Sequence, residues 1–185
     1  LTALKVLKIF TLSSALFFLA ACSEPSEPET PNKTAITQLS IKNFANPEQS
    51  IFTGGQPSQE ALTALAKDGV KHVINLRPMQ EQEQSQDWNE AELVQSLNMQ
   101  YHSIPVAGAA GVTLENATAL ADLLKTLEGE QTFLHCASSN RVGALTALYE
   151  GAANGVNTDE AIAKGKSWGM SSLEPVVRAQ LSNPQ

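Results

Sequence analysis

Between about residues 50 and 155, short apolar segments of strand length alternate with longer segments of helical period. This alternation constrains the fold more than any other feature of the chain. The strand-like segments are 51–53, 70–76, 99–104 and 131–135, with a weaker one suggested by Leu39, Ile41 and Phe44. The first helical segment, 59–68, carries Ala61, Leu62, Leu65 and Ala66 on one face behind a capping Ser58. A second is expected over 88–98, from Trp88, Ala91, Val94 and Leu97, and a third over 114–127, capped by Thr113. A fourth runs from Arg141 to about residue 154, and two short ones follow at 158–167 and 173–181. The Gln/Glu-rich segment 79–87 has no apolar stripe and is expected to be a loop. Strands alternating with helices predict an α/β fold: a central, mostly parallel sheet with helices on both faces and ligands at the carboxyl ends of the strands. Arg77 and Cys136 both stand at such ends.

The amino-terminal segment does not belong to that pattern. Lys5 and Lys8 precede an apolar run that ends in Leu19-Ala20-Ala21-Cys22. Charge, length and small-residue cleavage site together predict a bacterial lipoprotein signal peptide over 1–21, with Cys22 lipidated. The run is shorter than the roughly 18–20 residues a membrane span needs. Residues 22–35, rich in Ser, Pro and Glu, are expected to form a flexible tether, and 36–185 the folded domain. The expected location is the periplasmic side of a bacterial membrane, held by the lipid anchor alone, with the outer membrane favoured. Without Lys5 and Lys8 the 12 basic residues fall by two against 19 acidic ones, giving −9. No basic run survives, which argues against a nucleic-acid surface. An anionic substrate must therefore be held by local features. Three scattered histidines and one remaining thiol lack metal-ligand spacing, so no metal and no cofactor is expected.

The local feature is Thr132-Phe133-Leu134-His135-Cys136-Ala137-Ser138-Ser139-Asn140-Arg141-Val142-Gly143. It reads as a buried strand, a tight polar loop and a helix start. Such a loop can aim backbone N–H groups at one point, where they and the helix dipole attract an anion. Once Cys22 is lipidated, Cys136 has no disulfide partner in the chain. Between His135 and Arg141 it lies in the electropositive setting that favours a reactive thiolate. Arg141 adds a planar cation able to grip two oxygens of a phosphate. The amides of Ala137, Ser138, Ser139, Asn140 and Arg141 complete the expected cradle. Gln56 is expected to shape the Gly54-Gly55 turn. Arg77 is either a second cation for the site or a brace for its own loop.

These pieces, in this order, resemble the cysteine-dependent phosphatases of the tyrosine and dual-specificity type, and more closely the bacterial beta-lactamase-hydrolase-like phosphatase family. The resemblance rests on Phe52-Thr53-Gly54-Gly55-Gln56-Pro57, on 69–77, on Tyr101-His102-Ser103-Ile104-Pro105-Val106, and on His135-Cys136 through Arg141-Val142-Gly143. It implies a cysteine-phosphatase-like three-layer fold. It also implies a reaction in which Cys136 attacks phosphorus and the resulting cysteinyl-phosphate is hydrolysed. Arg141 and the loop amides would bind the phosphoryl group, and His135 would hold the loop and favour the thiolate. The substrate would be a phosphorylated small molecule or protein.

The chain departs from the tyrosine-phosphatase pattern in two places. Four residues rather than five separate Cys136 from Arg141, a spacing that also suits a rhodanese-like sulfurtransferase or persulfide carrier. The loop after Pro105, Val106-Ala107-Gly108-Ala109-Ala110-Gly111-Val112, has no carboxylate where a general-acid Asp is usual. Glu81, Glu83, Asp87 and His102 are the substitutes the sequence offers. The missing acid also leaves open an anion-binding pseudophosphatase.

Overall fold

The structure, a computed structural model, describes residues 40–183. The expected signal segment, the tether, Cys22 and Leu39 lie outside the described residues. Five strands form one sheet: β1 (Ala45–Glu48), β2 (Ile51–Gly54), β3 (His72–Asn75), β4 (Gln100–Ser103) and β5 (Thr132–His135). Their order is β1-β2-β5-β3-β4, with only the β1–β2 pair antiparallel. Seven helices complete the described chain: α1 (Gln59–Lys67), α2 (Met79–Glu83), α3 (Glu90–Ser96), α4 (Leu114–Thr126), α5 (Asn140–Ala152), α6 (Thr158–Ser167) and α7 (Glu174–Ser182). The expected mostly parallel sheet flanked by helices is therefore what the chain forms.

β5 is central, and its side chains divide the interior. Side chains alternate between the faces of a strand. Leu134 and Ile74 enter one core with Leu120, Leu145, Ile162 and Val177 of α4 to α7. Phe133 and Val73 enter the other with Phe52, Leu62, Leu65 and Val94, under α1 and α3. The register sets Phe133 level with Phe52 and Val73, and His135 level with Gly54 and Asn75. His135, Gly54 and Asn75 thus share one row at the carboxyl end of the sheet.

The helices begin where their caps place them. Ser58 accepts from the Ala61 amide and Thr113 from the Asn116 amide, each at 3.2 Å. Two expectations need correction. The first strand is Ala45–Glu48, not the segment around Ile41 and Phe44. Asn43 turns the chain with φ 52, Ile41 is buried, and Phe44 stacks on Phe52 at 6.0 Å. Those apolar residues anchor the chain onto the sheet, while the polar strand with its Pro47 lies at the edge, where a missing N–H is tolerated. The segment expected as a loop contains α2, which buries none of its own residues. Its hold comes from Arg77, and apolar periodicity carries no trace of that.

α5 is wrapped by its neighbours, with Val142, Gly143, Ala144, Leu145, Ala147 and Leu148 all buried. Its crossing with α6 is a backbone contact. A Cβ at Gly143 would lie 2.2 Å from the Gly165 carbonyl oxygen and 2.3 Å from the Met170 nitrogen. Neither is a flexible side-chain end that could move aside. Gly143→Ala is expected to destabilise the domain by about 3 kcal/mol, at the upper end of ordinary overpacking. Urea unfolding checks this, and an unchanged midpoint would show that the two helices separate freely.

Candidate active site

The chain leaves β5 at His135 and enters α5 at Asn140, so the connecting loop is only Cys136 to Ser139. Cys136 is 1% exposed and packs in the core beneath α4 to α7. The loop's carbonyls are drawn outward. Ala137 O accepts from the Gln56 amide at 3.4 Å, and Ser138 O from the Asn43 side chain at 2.9 Å. Gly55 lies against this loop, where a Cβ would be 2.8 Å from Ala137 O. Ser139 turns the chain into α5 with φ 64, the left-handed region usually left to glycine. Its hydroxyl donates to Trp168 O at 2.9 Å, which helps hold that turn. The Asn140 side chain also points away, accepting from the Ser171 amide at 2.8 Å and donating to Ser172. Neither Ser139 nor Asn140 has its side chain committed to a cradle. The expected cradle is therefore left to the main chain, where the first amides of α5 lack intrahelical acceptors.

Arg141 is buried, and its donors are divided. One terminal nitrogen donates to Glu81 Oε2 and to Val106 O, both at 2.8 Å, and the other to Glu81 Oε1 at 2.7 Å. Of the five N–H groups of a guanidinium, the Nε–H and one terminal N–H meet no protein oxygen among the described residues. Burial works against the charge on Arg141, but Glu81 and Cys136 outweigh it and hold its pKa above the ordinary value. Arg141 therefore grips Glu81 with its end and keeps two donors unspent, with the sulfur of Cys136 near enough to favour its charge.

Glu81 sits between two arginines. Hydrogen bonding from Arg141 lowers its pKa most, burial opposes this, and Arg77 assists. It is ionised at neutral pH and has no proton to donate. Arg77 spends all five donors within its own neighbourhood: on Glu81 Oε1, Glu81 O, Gln86, Ser85 and Gln56. It braces α2 and has no donor left for a ligand. Gln56 does more than shape a turn. It accepts from Arg77 and donates to Glu90 Oε2 at 2.6 Å.

The remaining sequence candidates do not join this cluster. Asp87 and Glu83 are exposed and line a groove with Met79, Trp88 and Tyr101 that reaches Gln86 and Glu90. His102 pairs with His72 at 3.2 Å, toward the opposite end of β3. Burial and the neighbouring His72 lower its pKa.

The sequence reading missed Glu90. The residue is 1% exposed, and its Oε1 lies 2.7 Å from His135 Nε2, with His135 fully buried. Asn75 also donates to Oε1, at 3.1 Å. Burial pushes the Glu90 pKa up, but the charge and hydrogen bond of His135, with help from Gln56, outweigh it and leave the pKa lowered. A signal was present in the sequence: Glu90 and the buried Val94 are four apart, so a carboxylate falls on the inward stripe of α3.

A mostly parallel five-stranded sheet with a cysteine loop between its central strand and a buried helix defines a fold of the dual-specificity and tyrosine phosphatase class. Solved structures agree on this fold. A Neisseria meningitidis Z2491 protein ascribed to the phosphatases is 20% identical, with a TM-score of 0.62, covering 76% of this chain and 97% of that one. TpbA of P. aeruginosa, solved in complex with phosphotyrosine, is 15% identical with a TM-score of 0.54, covering 76% of this chain and 83% of that one. In sequence, the Beta-lactamase hydrolase-like protein of Xylella fastidiosa (strain Temecula1) is 32% identical over 123 residues, 65% of this chain. The match spans only 28% of that relative's length. The family model described as DSP-PTPase phosphatase fused to NAD+ kinase matches residues 25–175, and the chain belongs to that phosphatase family.

Proposed function

We propose that this chain hydrolyses phosphate monoesters through Cys136. The observation that carries the reading is the pair of unspent donors on the buried Arg141, close to Cys136 and beside a loop whose carbonyls are engaged by Gln56 and Asn43. The Cys136 thiolate attacks phosphorus as the bond to the leaving oxygen breaks. The phosphoryl oxygens lie on the loop amides and on the free edge of Arg141, where the charge of the transition state develops. Water then displaces the thiolate from the cysteinyl-phosphate and releases inorganic phosphate. Glu81 does not compete for that edge. It grips the end of the guanidinium and holds the plane in position.

No protonated carboxyl serves the leaving group, since Glu81 is ionised and 107–111 carry no acid. Substrates whose leaving oxygen departs as a stable anion should therefore react best. An aryl phosphate, the class to which the TpbA ligand belongs, is the proposed substrate type. Purified protein is expected to hydrolyse aryl phosphates, with rates falling steeply towards alkyl phosphates, and vanadate is expected to inhibit. Equal rates across both classes would mean that an acid acts after all.

The four-residue loop also suits a persulfide carrier. Thiosulfate–cyanide turnover, with a sulfur-mass adduct on Cys136 and no ester hydrolysis, would establish that reading instead. An oxyanion bound with no turnover would mark a pseudophosphatase. Lipidation at Cys22 and tethering on the periplasmic side of a membrane complete the proposal. Its support is the signal-like pattern of 1–22, and metabolic labelling with a fatty acid tests it.

A further inference from the structure

We propose that Glu90 is a positioning residue that fixes the tautomer and charge environment of His135 and, through it, the reactivity of Cys136. The role rests on the reading of Cys136 as the nucleophile. A carboxylate this buried is costly unless it is paired and hydrogen-bonded. Packing does not require one here, since Val94 fills the next inward position of α3 with an aliphatic side chain. Every contact made by Glu90 has a donor on the other side: Gln56 Nε2 at 2.6 Å, Asn75 Nδ2 at 3.1 Å and His135 Nε2 at 2.7 Å.

An ionised carboxylate only accepts. His135 must therefore carry a proton on Nε2, which makes Nδ1 the nitrogen turned away from the carboxylate. Nδ1 is buried and meets no partner among the described residues. The ring runs parallel to Phe133, with centroids 5.5 Å apart and planes 9° from parallel, and the Glu90 contact selects the orientation that puts Nε2 on the carboxylate. When the ring is protonated, its positive charge stands one residue from Cys136 and Glu90 supplies the counter-charge. Glu90 thus reaches the nucleophile without touching it. The Gln56 bridge to Arg77, and from there to Glu81 and Arg141, ties this support to the anion clamp.

The test is the rate of Cys136 alkylation by iodoacetamide across pH, in wild type and Glu90→Gln. The variant keeps the shape and removes the charge. It is expected to react about tenfold more slowly at neutral pH and to reach the wild-type plateau in alkali, where the thiol is ionised in both proteins. A merely structural role would lower unfolding stability and leave this profile where it was, and that result overturns the proposal. In a His135→Gln background, Glu90→Gln is expected to add nothing. A further slowing there also overturns it. Should Glu90→Gln fail to fold, nitrogen NMR of the wild-type imidazoles decides. A protonated Nε2 on His135 is expected, and a bare Nε2 overturns the role. Alkylation needs no phosphate ester. A normal Glu90 effect with no ester hydrolysed would remove the phosphatase reading alone.

Discussion

Cys136→Ser is expected to abolish aryl-phosphate hydrolysis while leaving oxyanion binding in place. A serine hydroxyl in the same position stays protonated at neutral pH, and no base stands ready to take its proton. His135 is turned away from the thiol and committed to Glu90 at 2.7 Å. The loss should be on the order of 10⁴-fold or more, comparable with other nucleophile deletions. The cradle is main chain and Arg141 is untouched, so phosphate should still bind and still protect the domain against thermal unfolding. Release of the aryl alcohol measures the first effect, and the phosphate-dependent shift in melting temperature the second. Turnover by the serine variant at the wild-type rate would eliminate the covalent step. Loss of both turnover and phosphate protection would mean that the substitution had collapsed the loop.

Arg141→Lys should be almost as damaging, although it keeps the charge. A lysine is a point charge on a flexible stem and cannot hold Glu81 end-on while presenting a second edge to phosphate. The guanidinium has donors for both, with three spent on Glu81 and Val106 and two left over. We expect a fall of about 10²- to 10³-fold in kcat/KM, the range seen when a transition-state donor is removed, with part of it in KM. Glu81→Gln should cost less, because Arg141 keeps its bond to Val106 O at 2.8 Å. The pH dependence of this brace follows from the lowered pKa of Glu81. The folded value lies below that of a free glutamate, so the ion pair's contribution is fully present above the free value and is lost as pH falls through the folded one. Activity at neutral pH is therefore expected to be insensitive to Glu81 titration. An inflection at neutral pH in wild type that Glu81→Gln abolishes would place a proton on this carboxylate, and with it the missing acid.

The parts of the molecule legible in the sequence were those written in apolar period or in caps. Leu62 and Leu65 placed α1, Thr113 began α4, and Phe133-Leu134 marked the central strand. The loop from Cys136 to Arg141 was readable because its chemistry lies in consecutive residues. What escaped was written in polar contacts between distant segments. α2 has no buried residue and exists because Arg77 grips its backbone and side chains, which is invisible to periodicity. Asp87 and Glu81 looked alike as acids in a Gln/Glu-rich stretch, and only the approach of α2 to Arg141 separates them. Glu90 was visible as an oddity on an inward stripe, but its partner lies 45 residues away.

The alternation of side chains along β5 has a consequence for how the site responds to repacking. His135 and Cys136 are neighbours in sequence but report to different interiors, the first to the layer of Phe133, α1 and α3, the second to the layer of Leu134 and α4 to α7. Substitutions that repack one layer act on the imidazole and its carboxylate, and those that repack the other act on the sulfur and the helix that carries the guanidinium. The two layers feel repacking separately, and the polar bridge from Gln56 through Arg77 and Glu81 to Arg141 carries the effect of one to the other.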